Sequence, residues 1–210
     1  GERSQYVGET SPNFSVGYIM DGVDMSGLGM SGFLFDTQQI EVLKGPQSSV
    51  YGVNSLAGIV NVKTVDPTPF FTGNLMSTIG FDNKMSTNSL AINLPITSKF
   101  LIRLSAQSHT QNGFRYNAFS NKNDTNGKNE FFYRMKIHWL INDFLKMKIN
   151  HFNIEMDNNY DAWNLYSNSY TTYSDRQGKD SLNTEVTSIL FVYRSIEKNW
   201  YEWILSIYNR

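Results

Sequence analysis

The chain has 210 residues, no cysteine, 14% aromatic residues, and 18 lysines and arginines against 19 aspartates and glutamates, for a formal net charge of −1. That balance excludes a disulfide scaffold and a basic nucleic-acid binder, so no nucleic-acid partner is expected. No apolar run reaches the ~18 residues of a membrane-spanning helix, which leaves a spanning β-barrel open. With no recognisable signal peptide and Gly1 in place of a methionine, the sequence reads as a piece cut from a longer chain at both ends.

The first predicted element is Ser15 to Val23, SVGYIMDGV, a short apolar strand closed by the turn dipeptide Asp21-Gly22. Asp21 and Asp24 also suit a pair of carboxylates for acid and base chemistry, but no His, Ser or Cys partner is nearby and Asp before Gly is what a turn demands. Next comes Ile40 to Thr64, IEVLKGPQSSVYGVNSLAGIVNVKT. Gly45-Pro46 ends its first strand, because proline brings no amide hydrogen to a ladder and glycine reaches backbone angles closed to other residues. Gly52 and Gly58 allow tight turns before Ile59, Val60 and Val62 resume a β-rich run. A phosphate-binding loop is excluded, since no Lys-Ser or Lys-Thr follows the glycines.

Ile40, Glu41, Val42, Leu43, Lys44, Gly45, Pro46, Gln47, Tyr51, Gly52, Ala57, Gly58, Asn61 and Thr64 together resemble the plug motif of TonB-dependent outer-membrane receptors, and the Val-Gly-x-x-x-Asp-Gly-Val strand before them resembles another plug strand. The resemblance implies energised import of a bulky nutrient (siderophore, vitamin or saccharide) across a bacterial outer membrane, with no cofactor. It implies a TonB-type energy-coupling protein as partner, acting through a segment not present in this chain. Lys44 stands where arginine is commoner, and Val53 where the family often has a polar or basic residue. Lysine lacks the two-pronged contact of arginine, which weakens the carry-over of a plug-locking ion pair to Lys44.

Val65-Asp66-Pro67-Thr68-Pro69 reads as a linker, giving a domain of residues 1–66, the C-terminal part of a small α+β plug, and a second of residues 67–210. The second consists of about seven segments of alternating polarity, each about 10 to 13 residues long, as membrane β-strands are. Leu75, Ile79 and Phe81 mark the first; Leu90, Ile92 and Leu94 the second; Phe100, Ile102, Leu104 and Ala106 the third, opposite Arg103, Gln107 and His109. The fourth, Glu130 to Ile141, puts Phe131, Tyr133, Met135, Ile137, Trp139 and Ile141 on one face and Arg134, Lys136 and His138 on the other. In the fifth, Leu145, Met147 and Ile149 give way to Phe152, Ile154 and Met156 in the opposite parity, which predicts a bulge near Asn150. Ile189, Phe191 and Tyr193 mark the sixth, and Tyr201, Trp203, Leu205 and Ile207 the seventh.

Short turns are expected near Pro95 to Ser98, at Asn142-Asp143 and near Ile196 to Lys198, and long polar loops around Gly113 to Lys128 and Asp157 to Leu182. All the short turns fall on one side and both long loops on the other, as in an outer-membrane barrel. Phe131 and Tyr133 suit an outer aromatic girdle; Trp139, Tyr193, Trp200, Tyr201 and Trp203 suit an inner one, although a soluble β-protein would bury such rings instead. The expected fold is therefore all-β dominated: a partial plug followed by antiparallel strands of an incomplete barrel. This is roughly a third of the wall of a ~22-stranded plugged transporter, and its bare edges predict aggregation in isolation.

His109, His138 and His151 lie on three adjacent predicted strands, but no carboxylate or cysteine accompanies them at ligand spacing, so no metal site is expected. Asn121 to Gly127 lacks the glycine and closing glutamate of a calcium loop and reads as solvated. Arg103, Arg134, Lys136, Lys146 and Lys148 share the water-facing parity, which suggests a basic wall that pairs with plug carboxylates such as Glu41 or favours an anionic cargo. Tyr160, Trp163, Tyr166, Tyr170 and Tyr173 make the segment from Asn158 to Gly178 a candidate ligand-contacting loop. A nutrient receptor leads, a passive porin-like or structural barrel is the alternative, and an enzyme is not expected, because no nucleophile, base and orienting partner cluster. Outer-membrane lipid and a small-molecule cargo are the remaining expected partners.

Overall fold

A computed structural model describes residues 15–26, 34–47, 55–161, 170–194 and 200–209. Among them there is no helix, including in the part read as a small α+β plug. The chain divides into two compact units, Gly1–Asp66 and Pro67–Arg210.

The first unit is a four-stranded mixed sheet of β1 (Val16–Met20), β2 (Val23–Asp24), β3 (Thr37–Lys44) and β4 (Gly58–Thr64), in the spatial order β2-β1-β4-β3. β1 and β2 form a hairpin on Asp21 and Gly22, whose φ angles of 48° and 82° are those of the two-residue turn that matches the twist of paired strands. β1 runs parallel to β4, from Val16↔Gly58 to Met20↔Val62, and β3 runs antiparallel to it. Tyr18, Ile19, Met20, Val23, Ile59 and Val62 are buried, so the apolar runs seen in the sequence make the small core.

The second unit is a seven-stranded antiparallel meander of β5 (Thr72–Gly80), β6 (Met85–Pro95), β7 (Phe100–Gln111), β10 (Lys128–Leu140), β11 (Leu145–Asp161), β13 (Gln177–Arg194) and β14 (Trp200–Asn209). Strands β8 (Arg115–Asn117), β9 (Lys122–Thr125) and β12 (Thr171–Thr172) form a separate three-stranded sheet. The turns at one end are tight for local reasons: the Asn142 Oδ1 accepts the amides of Phe144 and Leu145, and Thr97 and Phe100 exchange backbone hydrogen bonds. The turn expected near Ile196 to Lys198 lies outside the described residues.

Four expectations are corrected. β11 has no bulge at Asn150: its pairing with β10 runs unbroken through Lys136↔Asn150 and Arg134↔Phe152, and its pairing with β13 through Asn150↔Ser188. The parity of the apolar residues reverses because the chemistry of the two faces reverses along a continuous strand. Leu145, Met147 and Ile149 share a face with His151, Asn153 and Glu155 further along, while Lys146, Lys148 and Asn150 share the other with Phe152, Ile154 and Met156. Secondly, β11 and β13 stay paired as far as Asp161↔Gln177, so much of the expected loop around Asp157 to Leu182 is strand, and the loop around Gly113 to Lys128 contains β8 and β9. Finally, Phe81 falls in the turn after β5, and Trp200 pairs with Arg194 on the face opposite to Tyr201 and Trp203. The Arg194 guanidinium lies 5.2 Å from the centre of the Trp200 ring, which removes that ring from the inner girdle.

Candidate functional site

The two faces of the meander differ in chemistry row by row. Directly paired residues share a face, and one row reads Leu94, Ile102, Ile137, Ile149, Ile189 and Leu205 across β6, β7, β10, β11, β13 and β14. The neighbouring row on that face reads Phe100, Trp139, Met147, Phe191 and Trp203, with Phe100 edge-on to Trp139 at 6.1 Å. At the edge strand of this face Leu205 is 58% and Trp203 56% exposed. On the opposite face, the row beside the aliphatic one reads Asn93, Arg103, Lys136, Asn150 and Ser188. A sheet that is apolar on one face over six strands and polar on the other over five has the wall chemistry of a membrane β-barrel.

The polar face gathers the basic residues named from parity. Arg103 pairs directly with Lys136, His138 with Lys148, and Arg134 lies one row along with its guanidinium 5.4 Å from the centre of the Phe132 ring. Arg134 and Lys136 are buried. His109 is on this face and meets the Thr87 hydroxyl at 2.8 Å, whereas His151 is on the other, between the hydroxyls of Tyr133 and Thr187 at 3.3 and 2.9 Å. The three histidines are thus not brought together, and among the described residues no group of His, Cys, Asp and Glu could hold a metal ion. The Tyr133 and His151 rings lie 5.7 Å apart, tilted by 40°, where the apolar face turns polar, the place for an interfacial ring.

In the first unit the motif residues build one hairpin. The Gly45 amide donates to the Ala57 carbonyl and the Gln47 amide to the Ser55 carbonyl, continuing β3–β4 pairing beyond Lys44↔Gly58. Gly45 has φ +91°, and at Gly58, with φ +146°, an added Cβ would lie 2.4 Å from the Leu43 carbonyl oxygen. The Glu41 carboxylate accepts from the Asn61 and Gln39 side-chain amides, partners on its own sheet. Lys44 and Pro46 are exposed. Tyr51 and Gly52 lie outside the described residues.

Asp21 does more than turn the chain. Its Oδ1 accepts the Thr64 amide at 2.9 Å and its Oδ2 the Thr64 hydroxyl at 2.5 Å, while Asp24 accepts the Ser26 amide. The two aspartates therefore serve separate turns. Asn93, missed in the sequence, fixes the start of the wall: its Oδ1 accepts the Thr68 amide and its Nδ2 donates to the Thr68 and Phe70 carbonyls. Neither contact has a sequence signal, since the partners are 43 and 25 residues apart.

Of the aromatic loop candidates, Tyr160 belongs to β11, where it pairs with Gly178, and its ring atoms lie 2.7 Å from where a Gly178 Cβ would stand. Trp163 and Tyr166 lie outside the described residues. The two long loops are joined: β12 pairs with β8 through Thr171↔Tyr116 and Thr172↔Asn117, and the buried Asn117 amide donates to the Ser174 carbonyl. Phe114, Tyr116, Phe119, Tyr170 and Tyr173, in or beside this small sheet, are all exposed.

No family model matches the chain. An iron-regulated outer membrane virulence protein of Vibrio cholerae is 31% identical over 75 residues, which are 35% of this chain and 12% of that protein. Among solved structures, the ferric yersiniabactin uptake receptor FyuA of Yersinia pestis superposes with a TM-score of 0.71 at 18% identity, over 92% of this chain and 32% of the receptor. A mutant of the ferric enterobactin receptor of Pseudomonas aeruginosa gives 0.71 at 15% identity, over 91% of this chain and 32% of the receptor. The chain thus spans about an eighth of the curated relative and about a third of those receptors.

Proposed function

We propose that the chain is the plug and first wall strands of a TonB-dependent outer-membrane receptor, a fold it shares with the ferric yersiniabactin and ferric enterobactin receptors, and that the protein it belongs to imports a ferric siderophore across a bacterial outer membrane. Residues 1–66 act as the C-terminal part of the plug and residues 67–210 as the first wall strands. The observation that carries this reading is the continuous aliphatic row from Leu94 to Leu205, backed on the opposite face by the polar row from Asn93 to Ser188. Lipid solvates the first and the passage for cargo is lined by the second. The basic residues Arg103, Lys136 and Lys148 on the inner face favour an anionic cargo, as a ferric chelate with ionised ligands would be. The exposed aromatic rings of the loop sheet offer a first contact outside the cell. No covalent step is needed: energy enters through a TonB-type coupling protein that acts on the plug from its N-terminal side.

The test is uptake of radioactive iron, supplied as catecholate, phenolate and hydroxamate chelates, by cells producing the complete protein, with and without a protonophore. Uptake of one chelate class that collapses when the proton gradient is dissipated is the expected result. Uptake that persists would make the protein a passive barrel, and no uptake of any iron chelate would remove the siderophore.

A further inference from the structure

We propose that Asp21 and Thr64 form a clasp that keeps the β1–β4 pair closed under load, so that tension entering ahead of Val16 is passed to the chain's exit at Thr64 without opening this sheet. The inference rests on the reading above that the plug is worked from its N-terminal side.

Three hydrogen bonds meet at one corner. The Asp21 carboxylate takes the Thr64 amide at 2.9 Å and the Thr64 hydroxyl at 2.5 Å, and the Asp21 amide donates to the Val62 carbonyl at 2.9 Å. Thr64 is fully buried, away from competing water. Asp21 reaches this position from the left-handed region, at φ 48°. Thr64 is the last residue of β4, just ahead of the boundary between the two units at Asp66 and Pro67.

The direction of the strands gives this corner its importance. Because β1 and β4 are parallel, with Val16 opposite Gly58 and Met20 opposite Val62, tension that enters at Val16 and leaves at Thr64 pulls the pair lengthwise. All the inter-strand bonds then share the load at once, whereas an antiparallel pair held at one end opens bond by bond. β2 and β3 flank the pair on either side, in the order β2-β1-β4-β3, and lie outside the load path. The clasp occupies the leaving end, where β4 would otherwise begin to slide past β1. A one-residue slip would reverse every side chain of β4, and the carboxylate blocks that first step.

The test is single-molecule pulling of the complete receptor, in a bilayer, from its N-terminus. For the wild type and for Asp21→Asn, which keeps both an acceptor and a donor toward Thr64 and tolerates the left-handed turn, extension is expected to stop with β1–β4 closed. Asp21→Gly keeps the turn and deletes the clasp, and Thr64→Val deletes the hydroxyl alone. Both should release the roughly 49 residues from Val16 to Thr64 at the wild-type holding force, adding about 170 Å of extension at about 3.5 Å per residue. Ile19→Val, which removes a methyl group from the same strand, serves as a control for lost stability and should retain the wild-type extension. The proposal fails if Asp21→Gly extends no further than the wild type, if Ile19→Val releases the same length, or if the wild type itself releases it at the same force. Force is applied directly, so a receptor whose uptake ignores the proton gradient but whose clasp behaves this way would overturn the functional reading and leave the clasp standing.

Discussion

Gly58 shows how little room the β3–β4 hairpin leaves at its closing pair. Its φ of +146° excludes an ordinary side chain, and a Cβ there would meet the Leu43 carbonyl oxygen at 2.4 Å. Gly58→Ala is therefore expected to destabilise the first unit by about 2–4 kcal/mol. Protease sensitivity of the plug in the complete receptor would show it, and wild-type resistance would mean the hairpin relaxes at no cost. Backbone requirements of this kind were legible in the sequence, because a residue in a special conformation announces itself by its own identity: Gly45, Gly58 and Asp21-Gly22 were all read as turn residues. Partner choice was not legible. Nothing local to Asp21 points to Thr64, and nothing in Asn93, one polar residue among others on β6, marks it as the group that takes hold of Thr68 and Phe70.

At the scale of the strand, alternation was a sound guide wherever both faces keep one chemistry throughout, as in β10. It misled in β11, where apolar residues give way to polar ones on one face and polar ones give way to buried apolar residues on the other. A window of a few residues cannot separate that change from a bulge, since both reverse the apolar parity; only an unbroken register does. The same change of surroundings makes a testable difference between two substitutions on the outward face. Leu104→Lys, in the apolar belt of β7, is expected to cost about 2–4 kcal/mol. Asn183→Lys, on the exposed polar stretch of β13 opposite Glu155, should stay within about 0.5 kcal/mol. Denaturant unfolding of the complete receptor in liposomes would measure both, and equal penalties would argue that the Leu104 face does not meet lipid. The long loops were legible as polar connections, but their joining through β8 and β12 was not, because it depends on two short strands meeting from distant parts of the chain.

For the molecule as a whole, the meander ends at β5 and β14, which among the described residues pair on one side only, leaving backbone donors and acceptors beside an apolar face. Residues 67–210 made alone in water are expected to aggregate, as light scattering would show, and a monodisperse, cooperatively melting preparation would contradict the lipid-facing assignment. The sequence by itself determined where the seven long strands lie, though not how far β11 and β13 run, where glycine and aspartate turn the chain, and which parity of each regular strand is apolar, because these are properties of residues a few positions apart. Tertiary structure alone decided that isoleucines and leucines from six strands fall into one continuous row, that His151 parts from His109 and His138, and that an aspartate in an early turn holds the last residue of β4. Those facts depend on register and on pairings across tens of residues, and strand register is set by the combined fit of every pair in the sheet, which no local window contains.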